Sequence, residues 1–186
     1  MDDPRIGRIV YTASQIYNRT QAMAQEISEQ LKQSDVATID VVTVLNGAVS
    51  FSRDFRAAFR KYEGRVLIRN QEIKVTSSNG TKSSGSLRIE QDLRDHINGR
   101  NVLILEDIID TGLTAQWLNQ EMYRRGARDV VFVTMVDKPR GRNGNTFKPY
   151  LSGFVYQGDK WLIGKGLDVD GQFRELDHIR EYEPIK

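Results

Sequence analysis

Hydrophobic residues recur along this chain with two different periods. Ile16, Met23, Ile27 and Leu31 return at helical spacing, and Thr12 followed by Gln15 has the form of a capping box, so a helix is predicted over residues 12–33. Residues 39–45 (IDVVTVL) form a nearly continuous β-branched and apolar run that stops at Asn46-Gly47, which suits a strand covered on both faces. A second helix is predicted over residues 50–60 and a second strand over 65–69 (RVLIR). Residues 75–86 (VTSSNGTKSSGS) hold almost nothing that could be buried, and they read as a loop, either a mobile functional one or a disordered connection. After the Asn98-Gly99 turn come a third buried-type strand (101–105, NVLIL), a helix over 113–125 closed by Gly126, and a fourth strand over 129–136 (DVVFVTMV).

Strands alternating with helices predict an α/β fold with a central, mostly parallel β-sheet flanked by helices. The rhythm breaks at about residue 142, where 153–156 and 161–163 read as short strands of a small cap on one end of the sheet. The expected organisation is a single domain over residues 1–186, its core at about 8–141 and a small C-terminal hood mainly at 142–186.

Composition narrows the function classes. The 186 residues fit one domain with a core of its own. With 27 Lys plus Arg against 25 Asp plus Glu the chain is nearly neutral, so neither a nucleic acid nor a membrane partner is expected. There is no cysteine, hence no disulfide, no thiolate metal site and no cysteine nucleophile; a reducing cytoplasm is compatible with that. The acidic start Met1-Asp2-Asp3-Pro4-Arg5 lacks the apolar stretch of a signal peptide, and no run approaches the roughly 20 apolar residues of a membrane span. A soluble cytoplasmic protein is expected.

The chemistry concentrates in residues 102–114, VLILEDIIDTGLT. An apolar strand runs into two adjacent carboxylates, Glu106 and Asp107, and a third, Asp110, opens the turn Asp110-Thr111-Gly112-Leu113-Thr114 that leads into a helix. The carboxyl end of a parallel strand is where α/β sheets bind ligands. The turn offers free backbone N–H groups, two hydroxyls, a glycine permitting close approach and the positive end of a helix dipole, which are the parts of a phosphate site. It is neither a Walker loop nor a GxGxxG turn. Glu106 and Asp107 precede the turn, so they can face a sugar diol and a divalent ion, and magnesium favours carboxylates plus substrate phosphates. The plainer alternative is that the pair solvates a strand end and Asp110 caps the helix.

VLILEDIIDTGLT resembles the 5-phosphoribosyl-1-pyrophosphate (PRPP) motif of type I phosphoribosyltransferases, and its Glu-Asp-Ile-Ile-Asp-Thr-Gly form resembles the hypoxanthine and hypoxanthine-guanine branch. The likeness continues through Val136-Asp137-Lys138-Pro139, Lys160-Trp161-Leu162-Ile163-Gly164, Gly166-Leu167-Asp168 and Phe173-Arg174-Glu175-Leu176. It implies the type I phosphoribosyltransferase fold and magnesium-dependent purine salvage. In that reaction PRPP and hypoxanthine or guanine give IMP or GMP and pyrophosphate. By this resemblance Asp110, Thr111, Gly112, Leu113 and Thr114 hold the 5-phosphate, and Asp110 is the general base for the purine N7 proton. Glu106 and Asp107 serve the ribose hydroxyls directly or through Mg2+, and Asp168 serves a second magnesium, usually through water. Lys138 donates to the 6-oxo group, Trp161 stacks on the purine and the main chain of Leu162 reads its Watson–Crick edge. Asn46, Gly47 and Arg174 face pyrophosphate, and 75–86, with Ser77 and Ser78, lies where relatives carry a flexible closing loop. Read in isolation, Lys138 would be a loop lysine, Trp161 a core or interface residue, and Arg174 a surface ion pair. A homo-oligomer, dimer or tetramer, is implied as well.

The chain departs from the family pattern at three places. Leu45-Asn46-Gly47 stands where relatives commonly have Leu-Lys-Gly, around a peptide that is often cis in them. Ser77-Ser78 replaces a Ser-Tyr pair, and Leu113 replaces a residue that is often lysine. Two alternatives follow: a preference for xanthine, or a regulatory nucleotide-binding protein with weak or lost catalysis. A receiver-type signalling domain fits worse, because it leaves the phosphate turn and the cap unexplained.

Overall fold

The computed structural model describes residues 3–62, 64, 66–77, 87–142 and 144–185. Helix α1 (Ala13–Lys32) begins at the predicted capping box: the Gln15 N–H donates to Thr12 Oγ1, and the Thr12 N–H donates to Gln15 Oε1 at 2.9 Å. After it come β2 (Thr38–Leu45), α2 (Val49–Phe59), β3 (Leu67–Ser77), β4 (Leu87–Gln91) and β5 (Asn101–Ile109). They are followed by α3 (Leu113–Arg124), β6 (Asp129–Asp137) and β7 (Leu151–Val155). Six of these strands form one sheet in the order β4-β3-β2-β5-β6-β7, parallel throughout except for the β3–β4 pair. A smaller three-stranded antiparallel sheet joins β1 (Ile6–Tyr11), β9 (Ile179–Tyr182) and β8 (Leu162–Ile163), in that order.

The period of two along the strands sorts the core into two layers. Ile39 and Val41 of β2, Leu103 and Leu105 of β5, and Val133 and Met135 of β6 pack on one face against Ile16, Met23 and Ile27 of α1 and Phe51, Phe55 and Phe59 of α2. Their neighbours Val42, Val44, Val102, Ile104 and Phe132 pack on the other face against Ala115, Leu118 and Met122 of α3. Strands covered on both faces need no polar side, which is why they read as unbroken apolar runs. Among the described residues no helix is long and apolar enough to cross a membrane.

The structure differs from the sequence reading in four elements. The strand predicted over 101–105 continues to Ile109, so Glu106 and Asp107 lie within it, held by pairing of Glu106 with Thr134 and Ile108 with Val136 on β6. The strand predicted over 65–69 runs to Ser77 and takes in 75–77, which were expected in a loop; pairing with β4 and the packing of Val75 and Ile89 on the core outweigh the polar composition. Residues 78–86 of that loop lie outside the described residues. The strand near 153–156 belongs to the main sheet and not to the cap: Leu151 pairs with Val133, and the Arg19 guanidinium donates to the carbonyls of Ser152 and Gly153. Finally β1, which no periodicity marked, supplies an edge of the smaller sheet.

Candidate active site

The parallel strands deliver their carboxyl ends to one rim, and the site forms there. Glu106 lies towards the first turn of α3 and Asp107 against the loop after β2, with the two carboxyls near enough to interact. Asp107 lies against the loop after β2 so closely that a Cβ on Gly47 would sit 1.7 Å from Asp107 Oδ2. The Leu45–Asn46 peptide in that loop is cis. Gly166 in turn packs on Gly47, its own Cβ position falling 2.1 Å from the Gly47 carbonyl oxygen. Two glycines thus let a carboxylate, the Asn46-Gly47 loop and the 164–167 turn stack without side chains between them.

Past Ile109 the chain turns through Asp110 and Thr111 to Gly112, the N-cap of α3, which has a left-handed φ of 75° and no capping side chain. Among the described residues no side chain accepts from the amides at the start of α3, apart from Thr111 Oγ1, 3.4 Å from the Leu113 N–H. A cavity of about 160 Å³ opens over them, lined by Glu106, Asp110, Thr111, Gly112 and Thr114 among others. A second cavity, also about 160 Å³, adjoins it and shares Ile108 and Asp110; its other walls include Asp107, Lys138, Trp161, Leu162 and Asp168. Thr111, Gly112 and Thr114 of the predicted phosphate turn thus line one cavity, Lys138 and Trp161 line the other, and Asp110 stands in the wall of both, whereas Leu113 is not among the walls of either.

Lys138 follows β6, and its N–H donates to the Ile109 carbonyl at 2.8 Å. Its buried ammonium donates to Asp110 Oδ2 at 3.0 Å. A short 3-10 helix over Pro139–Arg142 follows, tied down by an Arg142–Asp137 ion pair, and Gly141 leaves room for the Asp110 carboxylate. Trp161 is 59% exposed, lines the second cavity and donates its indole N–H to the Asp168 carbonyl at 2.9 Å. Leu162 is buried on β8, an edge strand of the smaller sheet. Asp168 accepts from the Gly171 N–H and pairs with Arg174, both at 2.6 Å. Ser77 ends β3, and Ser78 lies outside the described residues.

Burial, and after it repulsion from Asp107, pushes the Glu106 carboxyl well above the usual carboxylate range. Burial also pushes Asp107 up, against hydrogen bonds that favour its charged form, among them the Ile108 N–H at 2.8 Å. Two desolvated acids side by side, with no lysine or arginine among the described residues hydrogen-bonded to either, suit a hard divalent cation, which would restore the charged form of both. Among the described residues no three His, Cys, Asp or Glu gather into a metal cage, so Asp168 does not join Glu106 and Asp107 in one cluster. An ion held here would complete its coordination from substrate oxygens and water.

Sequence reasoning did not single out Ile108 and Leu167 as cavity walls, nor Lys165, Gly141 and Gly166 as supports. Only the glycine pair Gly164-x-Gly166 carried a visible signal, that of a backbone needing close approach.

The description "phosphoribosyl transferase domain" matches residues 9–156 of the chain as a family model. The chain belongs to the type I phosphoribosyltransferase family, in its hypoxanthine-guanine branch. It is 34% identical over 185 residues to the hypoxanthine-guanine phosphoribosyltransferase of Mycobacterium tuberculosis, covering 96% of this chain and 87% of the relative. The hypoxanthine-guanine-xanthine phosphoribosyltransferase of Tritrichomonas foetus is 32% identical over 179 residues, covering 96% and 92%. Among solved structures, the Trypanosoma cruzi hypoxanthine phosphoribosyltransferase in complex with the product IMP superposes with a TM-score of 0.88 at 30% identity, over 99% of this chain and 98% of that one. Enzymes of this family are magnesium-dependent.

Proposed function

We propose that this protein is a purine salvage enzyme that transfers the 5-phosphoribosyl group of PRPP to hypoxanthine or guanine, giving IMP or GMP and pyrophosphate. The observation that carries this reading is the junction of two cavities at Ile108 and Asp110, one over the uncapped start of α3, the other between Lys138 and Trp161. A nucleoside monophosphate laid across that junction has its phosphate on the amides and hydroxyls of Asp110, Thr111, Gly112, Leu113 and Thr114. Its ribose then passes Asp110, and its base lies against Trp161.

The N9 atom of the purine attacks C1 of the ribose, the C1–O bond to pyrophosphate breaks with its electron pair leaving on oxygen, and the N7 proton passes to the Asp110 carboxylate. Charge builds on the sugar in an oxocarbenium-like transition state, so fixed groups placed beforehand contribute most. Lys138 turns its ammonium from Asp110 to the 6-oxo oxygen; adenine would oppose a donor to a donor. Because β8 is an edge strand, one backbone edge at Leu162 is open to the Watson–Crick side of the base. Glu106 and Asp107 hold the ribose hydroxyls and would hold one magnesium, and Asp168 would hold a second through water. Bound magnesium would supply charge neutralisation for the departing pyrophosphate. Asn46, Gly47 and Arg174 line the pyrophosphate side. A cytoplasmic location and a homo-oligomer of two or four copies complete the reading, the latter open to sedimentation.

The test is PRPP-dependent conversion of hypoxanthine, guanine, xanthine and adenine, with and without magnesium. Magnesium-dependent IMP and GMP are expected, with no product from adenine. The xanthine arm matters because the Tritrichomonas foetus relative is also named for xanthine. No product from any base, despite tight IMP binding, would make the protein a nucleotide-binding regulator instead.

A further inference from the structure

Behind the pyrophosphate side of the site lies a contact that none of the proposed roles uses. Lys165 stands in the turn after β8 with φ 56°, and its ammonium donates to Asp54 Oδ2 on α2 at 2.5 Å, across 111 positions of sequence. The lysine side chain is 17% exposed and the aspartate 32%, so the pair is better shielded than a surface bridge. Asp54 also meets Arg53 Nε at 3.2 Å, but that arginine is 70% exposed.

Through its own turn Lys165 connects to residues of the proposed pyrophosphate side. Its N–H donates to the Leu176 carbonyl at 2.7 Å. The next residue, Gly166, donates its N–H to the Arg174 carbonyl at 3.0 Å, and its own carbonyl accepts from the Arg174 guanidinium at 2.6 Å. Arg174 then holds Asp168 at 2.6 Å. Gly166 meanwhile rests on the Gly47 carbonyl and, at 3.6 Å from its Cβ position, on Ser50. Ser50 and Asp54 are four apart on α2 and so share one face of that helix. The 164–176 loop is therefore fixed to α2 twice, by a glycine-on-backbone contact beside the Asn46-Gly47 loop and by an ion pair one turn further on.

We propose that Lys165 and Asp54 are positioning residues for the pyrophosphate group: their ion pair latches the 164–176 loop to α2, which sets Arg174 and Asp168 opposite Asn46 and Gly47. The inference rests on the functional reading above. It gives this chain, which has no lysine at position 46, a rigid polar wall on the pyrophosphate side. Neither residue is among the walls of the base and 5-phosphate cavities, so loosening the latch weighs most on the pyrophosphate side.

The experiment is steady-state kinetics in both directions on Lys165→Met, Asp54→Asn and the exchanged pair Asp54→Lys with Lys165→Asp. Aspartate tolerates the left-handed backbone at position 165, so the exchange can rebuild the bridge. Each single variant is expected to raise KM for PRPP and for pyrophosphate about fivefold or more. KM for IMP should stay near its original value, kcat should move less than KM, and the exchanged pair should recover most of the loss. Equal changes for IMP and pyrophosphate, no change for either, or no recovery in the exchanged pair would overturn the latch. If the unsubstituted protein makes no IMP from PRPP, the functional reading falls, and calorimetry of magnesium pyrophosphate on the same variants decides the latch on its own: selective loss of that binding supports it, unchanged binding removes it.

Discussion

The Lys138 ammonium donates to Asp110 Oδ2 at 3.0 Å, and in the proposed reaction it leaves that carboxylate for the purine oxygen. Asp110→Asn should lower the single-turnover rate by about 10²-fold or more while calorimetry finds IMP affinity within a few-fold of the original. An unchanged rate would remove Asp110 from the proton transfer. Lys138→Ala should raise KM for hypoxanthine and guanine by about tenfold or more, the range for a hydrogen bond to a charged group, with KM for PRPP nearly constant. Equal loss for PRPP would count against the assignment. The phosphate turn was legible at this scale because its residues are consecutive: three acids, two threonines and a glycine specify a cradle within one short stretch. The Lys138–Asp110 bridge and the Gly166–Gly47 contact were not, because they join residues 28 and 119 positions apart, and no spacing rule encodes that meeting.

At the scale of elements, α1 and β7 show what local pattern can and cannot specify. Helix α1 advertised both its start and its buried face, since the capping box and the apolar stripe lie within the element itself. Thr12→Ala should lower stability by about 1 kcal/mol in urea unfolding and leave turnover alone, because the cap is remote from the site. A loss of activity without a loss of stability would contradict that separation. Strand β7 has five residues, and whether it joined the main sheet or the cap depended on its partner, β6, not on its own sequence. The same holds for β1, whose burial pattern shows no alternation, and for Val75–Ser77, where backbone pairing with β4 holds a polar segment in a strand. Glu106 and Asp107 were expected past the strand; they lie inside β5, one in the wall of each cavity and close enough to interact.

For the whole molecule, acid stability and ligand placement are the two properties that integrate these parts. At the far end of α3, Arg124 and Arg125 bracket Glu121 and hold its carboxyl down to about 2, while Arg125 also lowers Asp92 in the β4–β5 connection. A carboxyl with a depressed pKa in the folded state contributes stability above its ordinary value near 4.5, and that contribution fades as pH falls from there toward 2. Glu121→Gln should therefore cost about 1 kcal/mol at neutral pH, after allowance for screening of the exposed Arg124, and the difference should shrink toward zero in thermal melts at low pH. A gap that persists unchanged in acid would point to packing instead of charge. The claim on which the function depends is that the turn at Asp110–Thr114 takes a phosphate while Lys138 and Trp161 take the base. A crystal structure of the protein with IMP measures this directly. The account predicts the phosphate on the amides and hydroxyls of Thr111–Thr114 and the hypoxanthine ring between Trp161 and the 138–141 segment, with Lys138 Nζ moved from Asp110 to the 6-oxo oxygen. A phosphate bound anywhere else, or a base that leaves the Lys138–Asp110 bridge in place, would contradict it.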